Sequence, residues 1–267
     1  MPDRELPLTE ANRGTGGPWQ RYLAAFHDSR PAITERLLSR CDRSPYSWLV
    51  EPIEQVDGLV LDLACGSAPT RALLPVSAEW LGVDTSAGEL GYAAAAGRGP
   101  VVRAAAGALP LADDQVAGVI AAMCLPVVSP LDAVLDEVVR VTEPGGVLTA
   151  LVPARLGFDI AGAYRWLRIM TALGVRAQPW PNPQARDHLP TLLRRRGFQI
   201  RSSQRRTFVL TLRGDADAQL LVESLYLPHV TARRLDDATR LLARQFRNGV
   251  TVSLPLRRVV AETPASG

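Results

Sequence analysis

The decapeptide Val60-Leu61-Asp62-Leu63-Ala64-Cys65-Gly66-Ser67-Ala68-Pro69 restricts this chain more than any other stretch. An apolar run passes straight into small residues and then into a proline suited to a helix start, so the segment reads as a strand, a tight turn and a helix. A buried strand of that kind belongs to a parallel α/β sheet, and Ala64 and Gly66 let a ligand approach the backbone closely at its carboxyl end. Trp80-Leu81-Gly82-Val83-Asp84 repeats the form and ends in an acid 18 residues after Gly66, where a carboxylate can accept both hydroxyls of a ribose.

Two cofactor classes use such a strand, turn and acid. A dinucleotide needs a G-x-G-x-x-G cradle for its pyrophosphate, and in that register the chain offers Ala64, Gly66 and Pro69, lacking the first and third glycines. S-adenosylmethionine carries no phosphate and needs only close backbone approach, a ribose acid and an adenine slot. The turn therefore favours S-adenosyl-L-methionine, with a nicotinamide oxidoreductase as the weaker alternative.

The chain here resembles the class I S-adenosylmethionine-dependent methyltransferases, in particular the branch similar to quinone-biosynthesis and other bacterial small-molecule enzymes. The family's D-x-G-x-G-x-G motif stands as Asp62 to Ala68, with alanine at two of the three glycine positions. Its ribose acid matches Asp84, its acid-Ala-x-x-Leu-Pro-Leu segment matches Ala105 to Leu111 with alanine in place of the acid, and its turn before the fifth strand matches Glu143-Pro144-Gly145-Gly146. The resemblance implies a cofactor site made by Asp62, Ala64, Cys65, Gly66, Asp84, Thr85, Ala105, Ala106, Met123 and Cys124. It also implies a Rossmann-like seven-stranded, mostly parallel sheet with helices on both faces. Each piece has a plainer reading: an acid after a strand is often a cap, and Pro-Gly-Gly by itself marks only a turn. Their shared order and spacing are what carry the resemblance.

With 267 residues, 47% apolar and 21% charged, the chain can bury one sizeable core. The opening residues lack a signal-peptide pattern and no window matches a membrane span, so a cytoplasmic protein is expected. Cys41, Cys65 and Cys124 cannot all pair and show no metal spacing, so no metal is expected. All 30 basic residues are arginine, in separate short clusters, and aromatics make up only 6%. That composition does not give the dense basic stripe with stacking rings that a nucleic-acid enzyme requires. The segment Met123-Cys124-Leu125-Pro126 also lacks the clamp of base-methylating enzymes. The expected partner is a small-molecule methyl acceptor, with no nucleic acid and no membrane; a homodimer is left open.

Residues 1–17 are expected to form a disordered tail, 18–55 a helical cap, 56–153 the cofactor-binding core, and 154–267 the rest of the sheet with a helical insert at 214–247 that covers the substrate. Strands are predicted near 58–63, 79–83, 100–104, 116–122 and 146–152, and helices near 18–28, 31–41, 45–54, 159–173 and 187–196. The helix after the fourth strand carries Leu131, Val134, Leu135, Val138 and Val139 on one stripe, with Ser129 as its cap and Pro130 as its first residue. His229, in the insert beside Tyr226, is the first candidate for a general base; His188 and His27 rank below it. A rival of another class is a protein of this fold that binds the cofactor without transferring methyl, recruited as a cyclase or a structural partner.

Overall fold

The computed structural model describes residues 17–264; of the tail expected at 1–17, residues 1–16 lie outside them. Three helices come first, α1 (Pro18–Ser29), α2 (Ile33–Leu38) and α3 (Pro45–Val50). The alternating region follows as β1 (Val60–Leu63), β2 (Trp80–Asp84), α4 (Ala87–Ala95), β3 (Val101–Arg103), β4 (Val116–Ala122), α5 (Leu131–Val141) and β5 (Thr142–Pro153). The chain closes with α6 (Ile160–Leu173), α7 (Pro183–Asp187), α8 (Leu189–Arg195), β6 (Gln199–Leu212), α9 (Gly214–Glu223), α10 (Ala232–Phe246) and β7 (Val250–Glu262).

The seven strands form one sheet in the order β3-β2-β1-β4-β5-β7-β6. The first five run parallel, and β7 enters antiparallel between β5 and β6. Every residue of β1 is buried, and β4 is buried along its first six, because helices cover both faces as a parallel sheet requires. On one face Val134, Leu135 and Val138 of α5 pack with Leu189 and Leu193 of α8; on the other Trp48 and Leu49 of α3 pack with Trp80 and Phe208. The chain winds from β1 out to β3, then returns across β1 to β4. The carboxyl ends of β1 and β4 thus flank a topological switch point, where open α/β sheets bind ligands.

Several predicted boundaries move for identifiable reasons. The third helix stops at Val50 because Pro52 cannot continue it, and the helix predicted at 187–196 forms as α8 from Leu189, with a proline in its first turn, after a further short helix α7 that His188 sets off from it. Ser129 does not cap α5: Pro130 is itself the cap residue, in extended conformation, and its carbonyl accepts the first helical hydrogen bond from the Val134 N–H. The Pro-Gly-Gly turn lies within β5, in the break of register between the pairs Val116 with Thr142 and Gly118 with Val147. The insert of residues 214–247 folds as α9 and α10, which pack with α6 on the outer part of the β6–β7 hairpin through Leu221, Leu242, Phe246, Leu210 and Val252. No helix among the described residues is long and apolar enough to cross a membrane.

Candidate functional site

A cavity of about 480 Å³ opens at the switch point, within the range of small-molecule sites. Its floor holds Asp62, Ala64, Cys65 and Gly66 from β1 and its turn, and Asp84 and Thr85 from the end of β2. Ala105 and Ala106 after β3 and Met123 and Cys124 after β4 complete the set expected from sequence. Backbone register does this: β1 pairs with β2 on one side and β4 on the other, so three turns emerge side by side. Gly82 of β2 permits the close packing beneath, since a Cβ there would stand 2.5 Å from the Trp80 ring and 2.8 Å from Cys65 Sγ.

The turn keeps a glycine-type backbone although two glycine positions are alanine. Ala64 and Ala68 sit at φ 52° and 53°, beside Gly66 at 55°, in the left-handed region that costs a residue with a Cβ about 1–2 kcal/mol. Met123 adopts the same region at φ 61° and Ala32 at 59°, so strained backbone gathers round the cavity.

The floor is acidic. Asp62 is buried; one carboxylate oxygen accepts from the Thr70 hydroxyl, and Oδ1 has no partner among the described residues. Burial pushes its pKa up to about 7, opposed by the Thr70 hydrogen bond and reinforced by the charge of Asp84. Asp84 accepts from the Gly66 N–H at Oδ2 and from the Ser86 N–H at Oδ1, both at 2.8 Å, leaving each oxygen a second lone pair. Burial raises its pKa as well, against those two backbone bonds. Glu35 also lines the cavity but is neutralised by Arg98, which reaches both its oxygens at 2.7 and 2.9 Å. Burial likewise raises the thiols of Cys65 and Cys124, which rules out thiolates at these positions.

The roof is α1, which contributes Gln20, Leu23, Ala24 and His27. It is tied down by its side chains: the Trp19 indole donates to the Val127 carbonyl at 2.7 Å, and the Tyr22 hydroxyl accepts from the Leu227 N–H at 2.9 Å. Ser86 Oγ donates to Asp28 at 2.8 Å. The insert expected to cover the substrate supplies only Tyr226 among the described lining residues. His229 is exposed and does not line the cavity, because the turn before α10 carries it away from the roof. His188 lies between α7 and α8, also outside the lining.

His27 stands inside instead, its Nδ1 2.8 Å from Glu89 Oε1 and its Nε2 3.1 Å from the Tyr226 hydroxyl. Glu89 Oε2 accepts from the Ala32 N–H at 2.8 Å. Sequence reasoning missed Glu89 because Ser86-x-x-Glu89 has the pattern of a helix capping box. Half of that box forms, with Ser86 Oγ accepting from the Glu89 N–H at 3.1 Å, but the carboxylate turns to α1 and α2.

Residues 61–150 match the family model of a methyltransferase domain. None of the curated proteins compared with the chain matches it. Among solved structures, the [4+2]-cyclase SpnF is 19% identical, with a TM-score of 0.56 over 91% of this chain and 96% of its own. A candidate methyltransferase of Bacillus halodurans C-125 is 16% identical, with a TM-score of 0.57 over 84% of this chain and 100% of its own. An S-adenosylmethionine-dependent methyltransferase of Thermotoga maritima is 15% identical, with a TM-score of 0.50 over 89% and 98%. Residues 61–150 thus form a methyltransferase domain, and the sheet β3-β2-β1-β4-β5-β7-β6 gives the chain the Rossmann-like fold of these solved structures.

Proposed function

We propose that the cavity binds S-adenosylmethionine and that the chain transfers its methyl group to a small-molecule acceptor. The observation that carries this reading is the buried Oδ1 of Asp62, unpartnered among the described residues, in a lining whose acids are Asp62, Asp84, Glu89 and Glu35. A buried carboxylate oxygen without a donor is costly, and an ammonium group supplies the missing charge-assisted hydrogen bond. Asp84 keeps a lone pair on each oxygen for two ribose hydroxyls. Ala105, Ala106, Ala133 and Val134 line an apolar slot for adenine, in which shape replaces the family's acid.

When bound, S-adenosylmethionine supplies a methyl group made electrophilic by positive sulfur. The protein's own task is alignment and exclusion of water. The acid floor holds the cationic end, and α1 closes over the rest. The walls beside the roof, Leu23, Val127 and Val128, are apolar and suit an uncharged organic acceptor.

Calorimetric titration with S-adenosylmethionine, S-adenosylhomocysteine and NAD tests the reading. Micromolar binding of the first two with none of NAD is the expected result. Binding of NAD alone selects the oxidoreductase reading. Binding of both S-adenosyl compounds without turnover on any acceptor selects the non-transferring one.

A further inference from the structure

Three separate elements send polar side chains to one point of the roof. Glu89 of α4 is buried, its side chain 3% exposed, and spends its two oxygens on the His27 ring and the Ala32 N–H. A carboxylate at Nδ1 fixes the proton on that nitrogen, which leaves Nε2 as an acceptor. Nε2 receives the Tyr226 hydroxyl at 3.1 Å, and the Tyr226 oxygen is in turn hydrogen-bonded to Thr34. Glu89, His27, Tyr226 and Thr34 all line the cavity. Packing does not require this chain of groups: a buried acid and imidazole cost more to desolvate than an apolar pair of the same shape.

We propose that Tyr226, His27 and Glu89 form a proton-accepting chain, and that the methyl acceptor is therefore a phenolic or enolic hydroxyl. The proposal rests on the methyl-transfer reading above. An amine in this acid-rich cavity stays an ammonium ion without a lone pair, whereas a hydroxyl enters neutral and must lose a proton as its oxygen bonds carbon. A phenol, with a pKa near 10, is within reach of an imidazole in a way an aliphatic alcohol is not. Tyr226 is the ring of this cluster that lines the cavity, and Trp19, Tyr22 and Phe26 pack behind it in tilted and edge-on contacts at centroid distances of 4.8 to 6.2 Å, which hold its hydroxyl in place.

In the step, the acceptor's O–H bond breaks as its oxygen takes the methyl carbon, and the electron pair of the broken sulfur–methyl bond stays on sulfur. The released proton passes to the Tyr226 oxygen while the Tyr226 proton passes to His27 Nε2. The imidazolium that results faces the Glu89 carboxylate, so one cation is lost at sulfur and one gained at the histidine. Tyr226 touches the acceptor; His27 and Glu89 act through it as positioning and proton-storing groups.

The first test needs no cofactor: 4-nitrophenol is titrated into the full chain and its phenolate absorption read for wild type, His27→Gln and Tyr226→Phe. The wild type should hold at least about threefold more of the bound phenol as phenolate near pH 6 than either variant. Equal ionisation in all three, or no binding at all, overturns the proposal. The second test follows S-adenosylhomocysteine formation from phenol and from 4-nitrophenol at pH 8, where the latter is already ionised. His27→Gln should slow transfer to phenol about 100-fold and to 4-nitrophenol less than fivefold, at an unchanged KM for S-adenosylmethionine. The pH profile for phenol should lose its acidic limb in the variant; Glu89 and Tyr226 bond His27 directly, and Asp84, Tyr22 and Tyr46 are the titratable groups coupled to these three. Equal losses on both phenols, or transfer to amines and not phenols, overturn the chain of proton transfer. Calorimetry showing no S-adenosylmethionine binding would instead break the methyl-transfer reading, while the ionisation test still reports on His27.

Discussion

The cavity's floor and roof hold their residues in place by different means. The floor emerges from β1, β2 and β4, whose parallel register places Asp62, Gly66, Asp84 and Met123 by backbone hydrogen bonds. The roof is placed by side chains: Trp19 reaches Val127, Tyr22 meets Leu227, and His27 bridges Glu89 and Tyr226 across 62 and 199 residues of sequence. A floor of this kind tolerates loss of one side chain without moving, whereas a roof held by a few long-range contacts moves as a unit.

The largest effect should come from the floor. Asp84→Ala removes the acceptor for the Gly66 and Ser86 N–H groups along with the ribose contacts. Weakening of S-adenosylmethionine by about 100-fold or more is expected, from two charge-assisted hydrogen bonds of ~1.5–3 kcal/mol each. Calorimetry measures this; an unchanged Kd would remove Asp84 from the site.

Next comes the roof. Trp19→Ala deletes a half-buried indole, its 2.7 Å bond to Val127 and its edge contact with Tyr226. A local loss of about 2 kcal/mol is expected. Hydrogen exchange should quicken across α1 while the amides of β1 and β4 keep their protection. Equal loosening of the sheet would erase the distinction between floor and roof.

The third effect is one of protons. Asp62 has a folded pKa raised to about 7 from an unfolded 3.8, so the folded state binds more protons between those values. Its contribution to stability is therefore fully present below the unfolded value and is lost as pH rises through the folded one. Melting curves should show stability falling from pH 4 to 7 in the wild type and a flatter profile in Asp62→Asn. A cationic ligand favours the carboxylate, so calorimetry in buffers of differing ionisation enthalpy should detect release of up to one proton per S-adenosylmethionine bound near pH 6.

The smallest effect is at the alanines. Ala64→Gly and Ala68→Gly relieve the left-handed strain, ~1–2 kcal/mol, but enlarge the freedom of the unfolded chain, ~0.4–1 kcal/mol. A net gain of a few tenths to about 1 kcal/mol in stability is expected for each, read from the melting temperature. A loss would show that the Cβ atoms pack better than the φ angles imply.

The same division explains what the sequence discloses. Apolar runs ending in small residues or an acid mark β1, β2 and β4, and wherever backbone ladders do the positioning, spacing along the chain translates directly into space. The ten residues assigned to the cofactor site meet in one cavity for that reason. His27, Glu89 and Tyr226 come together only through tertiary packing, and each has an ordinary local reading: a histidine in a helix's last turn, a capping-box acid, a tyrosine between helices. His229 looked nearer to the site than it is because no local signal says that, three residues after Tyr226, the chain has already turned out to the surface.

The two alanines of the turn have a consequence beyond stability. A glycine turn is pliant and must be ordered by whatever binds it, whereas Ala64 and Ala68 hold the same left-handed form with fewer alternatives open to them. The folded protein carries the strain in advance, so a ligand meets a preorganised cradle and loses less entropy in settling there. Replacing them with glycine should leave a more stable protein whose ligand binding is entropically poorer.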